Sequence, residues 1–138
     1  MPFAIVSKDS FSTDDAALSI QLFARPTANA HYMTFETSVG VDYVVPAGKT
    51  LIIKRVEGIT DGNNAQFVLG YGTAGVADGV AAPAGWIQQS CDDYYRLSAA
   101  NVRESYEANL KVPAAGYPCI LTLAVAAVYK VSIIGVLQ

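Results

Sequence analysis

The chain has 138 residues and a mass of 14.6 kDa, the commonest size for one domain, and such a domain buries roughly two-thirds of its unfolded surface. Nine Lys and Arg stand against twelve Asp and Glu, for a net charge of −3 and a pI near 4.9, and no basic run occurs, which argues against a nucleic-acid partner. Only 15% of residues are charged while 52% are apolar and mean hydropathy is +0.31, drier than a lone soluble domain needs, so burial between subunits is expected.

Residues 1–10 carry Lys8 and no long apolar stretch ending in a cleavage site, so they do not read as a secretory signal, and the chain is expected to stay where it is made or leave by lysis. Phe3 to Lys8 reads as a short first strand. From Ser12 to Arg25 the pattern is mixed. Thr13 or Asp14 would cap a helix through Ala16, Ala17 and Leu18, whereas Leu18, Ile20, Leu22 and Ala24 alternate with polar residues; strand is favoured. His31 to Val45 alternates, with Met33, Phe35, Val39, Val41, Tyr43 and Val45 on the apolar face, and predicts a half-buried antiparallel strand bent or divided near Gly40.

Three corners punctuate the rest: Pro46-Ala47-Gly48, Pro83-Ala84-Gly85 and Pro113-Ala114-Ala115-Gly116. Proline presets φ and glycine accepts the positive φ that often closes such turns. Between the corners, Thr50 to Gly58 is a strand. The turn residues Asp61-Gly62-Asn63-Asn64 lead into Ala65 to Tyr71, and that spacing predicts a hairpin. Gly72 to Gly85 is too apolar for a free loop and too rich in glycine for a strand, so it is expected to lie against something. Trp86 to Gln89 and Tyr94 to Leu97 are short strands. Val102 to Val112 alternates cleanly, with Tyr106, Ala108, Leu110 and Val112 on one face. The terminal segment is apolar on both faces, as in a strand covered twice. Its uninterrupted run, Cys119 to Tyr129, ends at Lys130 and is about half the ~20 residues of a spanning helix, which argues against a membrane.

Eight or more strands without strand–helix alternation predict an all-β fold, an antiparallel two-sheet β-sandwich that is jelly-roll-like. The domain is single, 1–138, with 1–10 as a candidate N-terminal arm.

No catalytic constellation stands out, so no enzyme activity and no cofactor are expected. His31 is the only histidine, and a zinc site or a catalytic triad would have to be built around it; a surface or rim histidine is the plainer reading. Asp14-Asp15, Asp92-Asp93 and Asp61 with Asn63 and Asn64 offer oxygen ligands without EF-hand spacing and read as solvated turns. Glu36, Glu57, Glu104 and Glu107 are the carboxylates available to a glycosidase pair, with no spacing that singles any of them out. Trp86, Tyr94, Tyr95, Tyr71 and Tyr106 are flat rings that suit sugar stacking, and equally suit core or interface packing. Cys91 and Cys119 allow one disulfide or none, and reduced, buried thiols are the plainer reading.

The stretch Val45-Pro46-Ala47-Gly48-Lys49-Thr50-Leu51-Ile52-Ile53-Lys54-Arg55-Val56 and the ending Val131-Ser132-Ile133-Ile134-Gly135-Val136-Leu137 resemble segments of jelly-roll capsid decoration, or cement, proteins of tailed bacteriophages. The two stretches make up about a seventh of the chain. The resemblance implies a homo-oligomer, trimer favoured over dimer, assembled in the host cytoplasm and bound to the major capsid protein on the virion surface. It carries no active-site residues. Phe3 and Ile5 of the arm, Trp86, Tyr94 and Tyr95, and Val131, Ile133 and Ile134 of the terminal strand are the interface candidates. A tail-fibre or receptor-binding knob that holds carbohydrate is the alternative.

Overall fold

In a computed structural model of the chain, the residues described are 19–89, 94–125 and 127–138. The expected strand at Phe3 to Lys8, with Phe3 and Ile5, lies outside them, as do Asp14-Asp15, Cys91 and Asp92-Asp93. Among the described residues there are eleven strands and no helix: β1 (Ser19–Ala24), β2 (Tyr32–Thr34), β3 (Glu36–Ser38), β4 (Val41–Asp42), β5 (Leu51–Thr60), β6 (Ala65–Gly72), β7 (Ile87–Gln88), β8 (Tyr95–Leu97), β9 (Glu104–Val112), β10 (Tyr117–Ala124) and β11 (Tyr129–Leu137).

The cleanest alternation in the sequence builds β9, whose Leu110 and Val112 are buried while Ser105, Glu107, Asn109 and Lys111 face water. One antiparallel sheet runs β4-β3-β1-β11-β5-β9 and the other β2-β10-β6, with β7 and β8 sharing the far edge of β6. Successive long strands change sheets. β1, β5, β9 and β11 lie in the first and β2, β6, β8 and β10 in the second, in the jelly-roll order. The core between the sheets includes Leu22, Phe35, Leu51, Val56, Phe67, Leu69, Leu97, Ile120, Tyr129 and Ile133. Full burial of side chains of this size stabilises by about 1.5–3 kcal/mol each.

Three expectations need correction. β5 and β6 are not a hairpin, because they belong to different sheets. The turn between them is pinned over the end of the sandwich: Thr60 Oγ1 donates to the Val128 carbonyl at 3.1 Å, and Asp61 Oδ1 accepts from the Val128 amide at 2.9 Å. The His31–Val45 segment is divided near Gly40, as expected, but also at Phe35, so that it forms three short strands. Phe35 sits where the chain crosses from β2 in one sheet to β3 in the other, which shifts the alternation, so that Thr34 is buried and Val39 is exposed. The terminal run is likewise two strands, of which β10 is covered on both faces. β11 keeps Lys130 in water and Ser132, Ile134 and Val136 half-exposed.

The stretch expected to lie against something does so. Residues 73–86 leave β6, flank β2 and return across the outer face of the second sheet. Tyr32 and Gly79 exchange both backbone hydrogen bonds at 2.7 and 3.1 Å, and Thr34 Oγ1 accepts from the Val76 amide at 2.9 Å. Trp86 then crosses over β10 and meets the Tyr32 ring edge-on at 5.2 Å and 82°. Beneath this strap Val68 and Cys119, on the face opposite the core, are wholly buried. Gly70 makes the close approach feasible, since a Cβ there would lie 2.5 Å from the Trp86 ring and closer still to the Ile87 carbonyl. In the first sheet Gly135 does the same opposite the bulge at Lys54 of β5, where a Cβ would lie 2.6 Å from the Ile52 carbonyl.

Burial also sets the chemistry of Cys119, a free thiol whose pKa is pushed up to about 12 by desolvation, against an opposing backbone hydrogen bond at Met33 and with a lesser upward contribution from the Asp42 charge. A thiolate is the nucleophile, so this sulfur is silent in the fold. In a Cys91→Ser variant, Cys119 is expected to resist alkylation at mildly alkaline pH until denaturant is added; prompt native-state labelling would show that the strap does not seal it. Gly70→Ala is expected to cost about 2 kcal/mol by overpacking and to lower Tm in calorimetry, and an unchanged Tm would show that the Trp86 contact is not tight.

Candidate functional site

The edge of the sandwich formed by β3 and β4 is the least protected apolar surface described. Its hairpin turns at Val39-Gly40, with Gly40 at φ +81°, and flanks that glycine with valine on both sides. Val39 is 91% exposed, Val41 51%, Val44 40% and, on the neighbouring β1, Phe23 42%. Behind the hairpin a groove of about 430 Å³ is lined by Phe23, Met33 and Val39, with Arg25, Glu36 and Ser38 at its rim. Turn tips are ordinarily polar. An edge strand ordinarily carries charge against unwanted pairing, and here that charge is acidic: Glu36 and Asp42 are directly opposite each other. Partial burial first, and then the Glu36 charge, raise the Asp42 pKa above 3.8. The site therefore offers apolar surface beside two mutually repelling carboxylates, a complement for an apolar partner that brings a cation.

Next to this edge the sole histidine is a structural tie. His31 Nδ1 lies 2.6 Å from Asp78 Oδ1 in the strap, and Asp78 Oδ2 accepts from Thr27 Oγ1 at 2.6 Å and the Thr27 amide at 3.2 Å. Burial alone would raise the Asp78 pKa, but the hydrogen bonds from Thr27 and His31 outweigh it and hold the carboxyl below 3.8. Asp61 and Asn63 serve the chain locally, accepting from Val128 and Ala100 amides. Glu57 lies 3.6 Å from both Arg55 and Arg103, and Glu104 accepts from the Ser98 amide. Among the described residues no three His, Cys, Asp or Glu side chains converge as a metal site would require.

The interface residues chosen from the sequence are scattered. Val131 and Ile133 are 3% and 1% exposed and point into the core, so a partner cannot reach them in the folded chain; strand parity puts Ile134 on the outer face instead. Trp86 is spent on the strap. Tyr94 and Tyr95 meet Tyr106 at the opposite edge, where β8 and β9 come together, while Tyr71 lies apart from them in the core margin. Phe23, Val39 and Val41 were hidden in the sequence by their alternation with polar residues. Their signal is the apolar turn Ser38-Val39-Gly40-Val41-Asp42, which lacks the Asn, Asp or Ser that a turn tip ordinarily has at its centre.

Comparisons of the chain with family models, curated proteins and solved structures return no match.

The Asp78 tie has a defined pH dependence. Its folded pKa is lowered, so its contribution to stability is complete above the ordinary carboxylate value and is lost as pH falls through the folded value. Wild-type Tm is thus expected to fall more steeply on acidification below pH 3.8 than that of Asp78→Asn; parallel curves would show that the contact does not hold the strap.

Proposed function

We propose that the protein is a structural component of a particle surface, a virion decoration protein of the cement type, which self-associates as a trimer and clamps neighbouring major capsid subunits. The observation that carries this reading is the exposed apolar edge built by Phe23, Val39, Val41 and Val44. Two features support it. The jelly-roll order gives a stiff body whose edges and loops are free to vary, and the low charge content leaves the molecule with little to keep such an edge in water.

The mechanism is burial of apolar surface, worth about 25 cal/mol per Å² before the cost of association. One such edge is weak. A trimer presents three of them at fixed spacing, so binding of the first raises the effective concentration of the others. The paired Glu36 and Asp42 carboxylates set the register by favouring a partner that places Lys or Arg between them.

Sedimentation velocity at micromolar concentration is expected to show a trimer, and electron microscopy to show the protein on the shells it is mixed with. Val39→Asp with Val41→Asp is expected to keep the wild-type Tm while shell occupancy falls at least tenfold. A wild-type monomer that leaves shells bare would overturn the proposal.

A further inference from the structure

At the opposite edge of the sandwich, Tyr94, Tyr95 and Tyr106 wall a cleft of about 430 Å³ whose remaining lining is Arg96 and Glu107. We propose that this cleft is a saccharide-binding site. The inference does not rest on the shell reading, which concerns the other edge.

The rings are held before any ligand arrives. Tyr95 stacks on the buried Phe67 at 5.3 Å and 26°, and its hydroxyl donates to Gln89 Oε1 at 3.0 Å. Tyr106 is tilted against Tyr95 at 5.7 Å, and its hydroxyl is tied to the Arg96 carbonyl and, at 3.2 Å, to Glu104. Tyr94, 45% exposed, supplies the open ring. With two of the three hydroxyls engaged inside the protein, the cleft presents mainly ring surface, with the exposed residues Arg96 and Glu107 at its margin. Ring surface covers the C–H face of a pyranose, a guanidinium fork donates to hydroxyl or ring oxygens, and a carboxylate accepts from hydroxyls.

A purely apolar ligand would leave both charges desolvated and unpaired, at a cost. A phosphate or carboxylate ligand would gain from Arg96 but be opposed by Glu107, so neither charge selects it. A sugar uses all three chemistries at once. The cleft falls within the roughly 300–1,000 Å³ usual for small-molecule sites, and the fixed rings spare a ligand the entropy of ordering them.

The test is a printed glycan array probed with labelled protein, followed by saturation-transfer NMR with the best array ligand and with methyl glucoside, galactoside, mannoside and N-acetylglucosaminide. At least one glycan is expected to bind, with transfer strongest on the C–H protons of one pyranose face. Tyr94→Ala and Arg96→Ala are each expected to weaken binding about tenfold and Tyr94→Phe to retain it. Because Tyr94 and Arg96 are exposed, the variants are expected to keep the wild-type Tm. Absence of any bound glycan, or undiminished binding by folded Tyr94→Ala and Arg96→Ala, would overturn the proposal.

Discussion

The second sheet must be dry on both sides, and the rest of the architecture follows from that requirement. Phe67, Leu69 and Ile120 face the core, while Val68 and Cys119 on the same strands face the other way and are equally buried. A lone sandwich has no third layer to cover an outer face. Here residues 73–86 supply one, held at the side by β2 and closed on top by Trp86. The covering works only because glycine at 70 lets an indole rest on the backbone. An apolar strand pair that would otherwise invite aggregation becomes a second, smaller packed layer.

Much of this was legible from residue order. The period-2 alternation of β9, the turn residues between strands and the dry, glycine-rich stretch after Gly72 all correspond to what they become in the fold. Pairing was less so. Nothing in the spacing of Leu51–Thr60 and Ala65–Gly72 distinguishes two neighbours in one sheet from two strands facing each other across a core, since either arrangement needs a tight turn. Val131 and Ile133 illustrate the same limit: parity says they share a face, and only the position of the opposite sheet says that the face is inside. At Phe35 the crossing between sheets breaks the phase of the alternation, which is why the exposed valines beyond it read as half-buried ones.

The two edges of the sandwich are chemically unlike. One is aliphatic with acidic guards, built on strands of two and three residues that offer few backbone groups to a partner. The other is aromatic, with rings locked by stacking and hydrogen bonds and with one charge of each sign. Each edge is proposed to meet a different partner, a shell at the aliphatic edge and a saccharide at the aromatic one. The sheets between them keep the edges at fixed separation.

The pairing of β1 with β11, which sets Ser19 beside Val136, also governs when the molecule can exist at all. Those partners are separated by nearly the whole described chain, so loop closure over that span precedes any reward from the ladder. On the ribosome, β1 and β5 must wait with their apolar sides uncovered until the strand that fits between them has left the exit tunnel. Closure of the first sheet therefore waits on β11, and until that strand is available the apolar sides of β1 and β5 are exposed to intermolecular contacts.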